Sequence, residues 1–254
     1  MTGFAAFLSK ELTEIRRTWR LWVIPGMLVF FGVTSPIIAA ITPALVKSMA
    51  ASQPGVRVQL PPPTALDAFA QFTKNLDQFV LIAIVIAGAG VISSERSSGT
   101  AILVLTKPLS RGAFVVTKLV SQVVLLVTAT ALGTAACLGV TSIIFTGVTV
   151  APVLTMAALW LLSASIVVVA MTLFSAAFTS RGAAAGAGLG FYFFMLLLSS
   201  WAPAARYTFV GLMPAMRDAL MGHTLSLGWP VTTAIAAIGI GTVGAVAIFD
   251  RQEL

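Results

Sequence analysis

Residues 119–180 contain no lysine, arginine, aspartate or glutamate, and this uncharged tract constrains the fold more than any other feature. Water-soluble domains carry roughly 25% charged residues, whereas this chain carries 9% and is 58% hydrophobic. A helix crosses the hydrocarbon core of a bilayer in about 20 residues, so the tract is too long for a single crossing. The sequence therefore predicts a helical membrane protein that turns inside this tract, at residues 146–149.

Apolar runs along the rest of the chain complete an all-α integral membrane protein with one transmembrane domain over residues 1–254. Six spans are predicted, at residues 21–46, 78–93, 116–145, 152–179, 183–201 and 230–249. A short helix over 65–76 is predicted before the second span, because Thr64 and Asp67 have capping-box spacing. Residues 202–229 are too polar to span and too apolar for a free loop. They predict short helices half-inserted in the outer leaflet.

The basic residues predict the orientation. Six spans place both termini on one side, and ten of the 15 lysines and arginines lie in the segments on that side. Positive charge is retained on the cytoplasmic side of membranes, which predicts a multi-pass protein of the cell membrane with both termini in the cytoplasm. The net charge of +7 is therefore interpreted as topological. We expect no nucleic-acid partner, since the chain has no basic groove or nucleic-acid motif.

Residues 4–19 predict an amphipathic helix that lies in the headgroup plane before the first span. Six apolar side chains fall within an arc of about 140° on a helical wheel; they are Phe4, Phe7, Leu8, Leu12, Ile15 and Trp19. Lys10, Glu14, Arg16 and Arg17 lie opposite, and Glu11 intrudes at the edge of the apolar arc. Basic amphipathic helices with aromatic anchors bind membrane surfaces. An ordinary cytoplasmic lead-in is the alternative.

The chain has none of the motifs that would make it an enzyme. It contains no P-loop, no H-E-x-x-H and no G-x-S-x-G pattern, so we expect no catalytic residue and no cofactor bound by the chain itself. Apart from Lys118 at the edge of the third, the predicted spans carry no charged residue. Ion-coupled carriers usually place such residues inside the bilayer. Any transport would therefore need energy from outside the membrane.

A charged segment after the second predicted span carries two short motifs. The first contains Glu95, Arg96, Gly99 and Thr100, and the second is the run Lys107, Pro108, Leu109, Ser110 and Arg111. The segment resembles the signature of the type 2 ABC exporter permeases, Glu-Arg-Glu-x-Gly-Thr followed by Lys-Pro-[Leu/Val]-Ser-Arg. Ser97 departs from it, at the position where that family often has an acid. The order of spans and the N-terminal helix are also similar to that family.

The resemblance implies the fold and the partners of an exporter permease. Residues 95–111 would form a coupling helix that docks on a separate cytoplasmic ATPase, present in two copies, which would bind ATP and Mg²⁺. A second permease copy or a related chain would complete the complex. The residues implied in coupling are Glu95, Arg96, Gly99, Thr100, Lys107, Pro108 and Arg111. Spans 2 and 5 would line the path of an apolar or amphipathic cargo, exported by alternating access.

Two further clusters of residues have open interpretations. Gly182, Gly186 and Gly190 recur every four residues in the fifth span, which is typical of a close helix contact. That contact could lie between two subunits or within one. Met213, Met216, Met221 and His223 carry soft ligand atoms that could bind Cu(I), although methionines at helical spacing usually pack. A factor for copper-enzyme maturation, a membrane scaffold without transport and an integral membrane enzyme are the alternative functions.

Overall fold

The computed structural model describes residues 3–51, 61–99 and 110–252. The chain is all-helical, with 86% helix, and no strand occurs in these ranges. The α-helices are α1 Gly3–Arg17, α2 Arg20–Ala51, α3 Ala65–Asn75, α4 Leu81–Gly88, α5 Ser93–Ser97, α6 Arg111–Ile144, α7 Val150–Ala177, α8 Arg181–Ser199, α9 Ala202–Tyr207, α10 Leu212–Met221 and α11 Gly228–Asp250. A π-helical turn, Leu76–Val80, joins α3 to α4, and a 3-10 turn, Phe209–Gly211, precedes α10.

Six helical segments are long and apolar enough to cross a membrane, which confirms the number of spans expected from the sequence. They are Leu21–Met49, Ala65–Ser97, Arg111–Ile144, Val150–Ala177, Arg181–Ser199 and Gly228–Asp250. The uncharged tract turns at residues 145–149, where Gly147 has a φ of 73°. Few non-glycine residues adopt that left-handed conformation, which explains the glycine in the turn.

The second span differs most from its expected bounds of 78–93. The short helix α3 and the span are one helical segment, because the π-helical turn Leu76–Val80 carries the backbone from one into the other. Phe69, Phe72 and Leu76 are buried along this extension. The helical segment is therefore longer than the uncharged stretch 78–93, and it carries Asp67, Lys74 and Asp77 before that stretch and Glu95 and Arg96 after it.

Close helix packing forms the centre of the bundle. A side-chain carbon placed at Gly32 of α2 would lie 2.5 Å from the carbonyl oxygen of Gly133 in α6, so only glycine permits this approach. Small residues allow such contacts in membranes, where packing rather than water drives association. Helix α7 lies in the middle of the bundle and buries Trp160, Met171 and the hydroxyl of Ser175.

Helices α8 and α11 lie at the periphery and are buried over only 22% and 11% of their most apolar stretches. Their outward faces carry large exposed hydrophobic side chains, among them Phe193, Phe194, Leu197, Ile240 and Val243. Helices α9 and α10 cover the residues between these two spans, and α10 packs against α7 through the buried Met216. The depth of α1 and of 202–229 in a bilayer stays a prediction.

Candidate functional site

A turn at residues 89–92 interrupts the second span just before the motif that begins at Glu95. A helix that stops inside a membrane protein leaves backbone groups without helical partners. The buried hydroxyl of Ser175, near the end of α7, compensates for this break. It accepts hydrogen bonds from the amides of Ile92 and Ser93, at 2.9 and 3.1 Å, and donates to the carbonyl of Ala89 at 3.1 Å. Helix α5 is therefore fixed to α7.

A buried lysine connects α5 to two other helices. The ammonium of Lys118, in the second turn of α6, lies 2.6 Å from Oε1 of Glu95 and 3.1 Å from Oε2 of Glu11 in α1. The side chains of Lys118 and Glu11 are 3% and 7% exposed. Charges buried to this degree are stable only when they are paired. Lys118 therefore holds α1, the end of the second span and the start of the third together.

Lys10 extends this arrangement at the surface. Its ammonium lies 2.6 Å from Glu14, 3.0 Å from Glu11 and 3.8 Å from Glu95. Burial lowers the pKa of Lys10, but the hydrogen bonds and charges of these carboxylates outweigh burial and raise it. We name Lys10, Glu11, Glu14, Glu95 and Lys118 the ionic cluster. Its three carboxylates lie within 4.8 Å of one another, close enough to ligate a metal. The ammonium groups of Lys10 and Lys118 already compensate two of these three negative charges.

An aromatic stack lies beside the ionic cluster. The ring of Phe7 stacks on Phe114 at a centroid distance of 5.5 Å, and Phe114 stacks on Phe249 of α11 at 5.1 Å. Lys118 lies 5.0 Å above the ring of Phe114, where cation–π attraction adds to its ion pairs. Phe7, expected to face the membrane surface, thus packs inside the protein, because Phe114 and Phe249 offer it a buried apolar surface.

The C-terminal residues close the same end of the bundle. Arg96 donates hydrogen bonds to the side chain of Gln252 and, at 3.4 Å, to the carbonyl of Ala176. The amide of Gln252 also donates to Ala176, at 2.6 Å. Arg111 donates to the carbonyls of Asp250 and Gln252 at 2.8 and 2.9 Å. Both ends of the coupling segment, residues 95–111, therefore contact the C-terminus.

Of the predicted coupling residues, Glu95, Arg96 and Arg111 bind within this chain. Ser97 and Ser98, which lie in the same segment, are exposed to solvent. Gly99 has a φ of 72° and ends the described part of the segment. Thr100, Lys107 and Pro108 lie outside the described residues. The predicted docking of the segment on an ATPase stays a prediction.

The glycine stripe of the fifth span is separate from the packing within the chain. A side-chain carbon at Gly182, Gly186 or Gly190 would meet no described atom within 4 Å. The glycine that packs inside the chain is Gly188, where such a carbon would lie 2.9 Å from Val85 and 3.0 Å from the end of Met171. The sequence left open whether these three glycines contact a helix of the same subunit or of a second one. Among the described residues, they make no close contact within the same subunit.

The residues considered for copper binding do not share one environment. Met216 is fully buried in the core, whereas 41% of Met221 and 62% of the His223 side chain are exposed. The imidazole of His223 lies 3.3 Å from Asp218. Met213 and Met221 line a cavity on this side of the bundle. Nothing in this placement favours a soft metal site.

Comparison with known proteins agrees with the architecture. A family model described as ABC-2 family transporter protein matches residues 5–244, nearly the whole chain. The chain is also similar to the "Uncharacterized transmembrane protein YxlG" of Bacillus subtilis (strain 168), with 21% identity over 256 aligned residues. That alignment covers 100% of this chain and 99% of the relative.

Proposed function

This chain belongs to the ABC-2 family of transporter proteins, and we propose that it is a permease subunit that exports an apolar or amphipathic cargo with energy from a separate ATPase. ATP and Mg²⁺ would bind to the ATPase, and this chain would supply neither a catalytic residue nor a bound cofactor. Both termini and the ionic cluster would face the cytoplasm, in line with the distribution of basic residues.

The observation that carries the proposal is the connection of the coupling segment to two parts of the bundle. Glu95 at its start pairs with Lys118 of the third span, and Arg96 and Arg111 contact the C-terminus of the sixth. A force applied to the segment by a partner would therefore move the second and third spans together. Paired buried charges transmit such a movement because separating them is costly.

Glu95 and Arg96 have a more specific role in this proposal than docking. Their side chains bind inside the permease, so they would transmit the ATPase movement rather than contact the ATPase. Ser97, Ser98 and Ser110 are the exposed residues in the described part of the segment and are accessible to a partner. The contacts themselves would come from these serines and from the residues up to Arg111.

Cysteine crosslinking tests this arrangement. In a background with Cys137, which is fully buried, replaced by alanine, the variant Ser97→Cys should crosslink to an ATPase subunit that copurifies from native membranes. The matched control is Ser142→Cys, which is exposed at the opposite end of α6. We expect crosslinking from position 97 alone. A stable ATPase that never crosslinks there, or that crosslinks equally at 142, would contradict the coupling assignment.

The glycine stripe supports a second permease copy or a related chain in the complex, with two ATPases. Gly182, Gly186 and Gly190 present an open surface on a peripheral helix, and the neighbouring apolar side chains are exposed. Gly186→Leu should leave the subunit folded and weaken its association in the membrane. The matched variant Gly188→Leu should disturb the fold, since its side chain would meet Val85 and Met171. Unchanged association in Gly186→Leu, measured by energy transfer between labelled subunits, would exclude this seam.

A further inference from the structure

A cavity of about 650 Å³ lies at the end of the bundle opposite the ionic cluster. Its walls come from α3 and the π-helical turn of the second span, from α8 and from α10. We name it the outer cavity. Leu196, Met213, Leu220 and Met221 give it an apolar wall, and four charged side chains, Asp67, Lys74, Asp77 and Arg217, also line it.

Asp77 is the deepest of these charges. Its Oδ1 atom is buried and has no hydrogen-bond partner among the described residues. The carbonyl of Asp77 accepts a hydrogen bond from the hydroxyl of Tyr192 at 2.6 Å, which fixes the backbone at this position. The indole of Trp160 interacts with the carboxyl group, but its N–H forms no hydrogen bond of ordinary geometry. A buried acceptor without a donor is costly, and a donor group on a ligand in the cavity would offset that cost.

The rim of the outer cavity carries the opposite charge. Lys74 lies one helical turn before Asp77, and Arg217 lies on α10; both side chains are exposed. Neither forms a salt bridge in the part of the chain that the structure describes. Asp67 is already engaged, because it accepts hydrogen bonds from the amide and the hydroxyl of Thr64 at 2.8 Å. The available charges are therefore an acid in the depth and two bases at the rim.

We propose that the outer cavity binds an amphipathic zwitterion, with its ammonium group on Asp77, its acidic group between Lys74 and Arg217, and its apolar body along Leu196 and Met213. A simple cation would face Lys74 and Arg217 on entry, and a simple anion would face Asp77. Only a ligand with both charges satisfies the depth and the rim together. The proposal that the outer cavity binds this ligand is independent of the proposed function. The further step, that the ligand is the transported cargo, rests on the proposed function.

Three fluorescent probes that share one dansyl group separate these possibilities. Nε-dansyl-lysine is a zwitterion, dansylcadaverine lacks the carboxylate, and N-dansyl-6-aminohexanoate lacks the ammonium group. Binding is measured by fluorescence titration with the full chain in phosphatidylcholine nanodiscs, against empty nanodiscs. We expect saturable binding of all three, with the zwitterion tighter than either partner by about tenfold, the effect of one additional charge-assisted hydrogen bond.

Two charge-removing changes assign the groups. Asp77→Asn should weaken binding of the zwitterion and the cation by about tenfold, and the anion should bind as in wild type or more tightly because a like charge is removed. The double change Lys74→Gln and Arg217→Gln, both at exposed positions, should weaken the zwitterion and the anion, and the cation should bind as in wild type or more tightly. The matched control is Asp218→Asn, which removes a half-buried acid on α10 that does not line the outer cavity and should change none of the titrations.

Equal binding of the three probes, or wild-type titrations in both charge variants, would overturn the proposal and leave Asp77 as a hydrated carboxylate. The assay contains no ATPase and no ATP, so it is independent of the proposed function. Selective binding in this assay, combined with the failure of any ATPase to copurify from native membranes, would retain the site and contradict the transporter function. Stimulation of ATP hydrolysis by the zwitterion in wild type, absent in Asp77→Asn, would identify the ligand as cargo.

Discussion

The two ends of the helix bundle treat buried charge in opposite ways. In the ionic cluster, Lys118 is enclosed by the carboxylates of Glu11 and Glu95, and three helices meet at the pair. In the outer cavity, Asp77 has a buried oxygen without a donor, and Lys74 and Arg217 form no salt bridge among the described residues. The first arrangement makes a rigid joint. The second leaves charges available, which suits a site that a ligand completes.

Removing the buried lysine should have the largest effect. Lys118→Ala leaves Glu11 and Glu95 next to each other with only the half-exposed Lys10 as a counter-charge, and loss of one partner of a buried pair costs about 3–5 kcal/mol. The free energy of unfolding, measured by sodium dodecyl sulfate titration in mixed micelles, should fall by this amount. The matched control Lys74→Ala, at the rim of the outer cavity, should change it by less than about 0.5 kcal/mol. Equal losses of unfolding free energy in the two variants would show that the ionic cluster contributes no more to stability than the rim of the outer cavity.

A double-mutant cycle sharpens the same contrast. Glu95→Gln, Lys118→Met and their combination should give a coupling free energy of about 0.5–3 kcal/mol, because the two groups are 2.6 Å apart and part of one network. The combined variant should be more stable than Lys118→Met alone, since it removes one of the stranded carboxylates. Additive effects of the two changes would show that the pair does not join the second and third spans.

The contact between the coupling segment and the C-terminus should have an intermediate effect. Arg111→Ala removes two hydrogen bonds to the carbonyls of Asp250 and Gln252, worth about 1 kcal/mol together where solvent competes. We expect faster proteolytic trimming of the C-terminus in this variant. Arg217→Ala, at the outer cavity, serves as the control and should be trimmed at the wild-type rate. Identical trimming of the two variants would show that Arg111 does not hold the C-terminal residues against the coupling segment.

The smallest effect on stability is expected at Asp77. Asp77→Asn replaces a charge without a partner by a neutral amide of the same shape, so the free energy of unfolding should stay within about 1 kcal/mol of wild type or rise. Ligand binding should nevertheless fall. A loss of several kcal/mol, comparable with that of Lys118→Ala, would show that Asp77 is a structural residue and that the two ends of the bundle are alike.

Individual residues of the ionic cluster stand out in the sequence, but their pairing with one another does not. Glu11 stands out on the wheel as an acid at the edge of an apolar arc, and Lys118 stands at the edge of a predicted span. Each is a signal of pairing. Their pairing could not be predicted, because Glu11 and Lys118 are 107 residues apart and meet only through the packing of α1 on α6. Asp77 was excluded from the second span because hydropathy falls at that residue while the helix continues.

The sequence by itself determined that the chain lies in a lipid bilayer and how many spans it has. Both follow from the length and charge of apolar runs along the chain, since the thickness of the bilayer sets the length that a span needs. Glycine spacing also predicted a helix contact on the fifth span, and that contact stays a prediction. Only the tertiary structure decided that Gly188 packs inward while Gly182, Gly186 and Gly190 remain open, and which charges are paired. Those outcomes depend on the rotation of each helix and on distances between helices, and neither is a property of one segment.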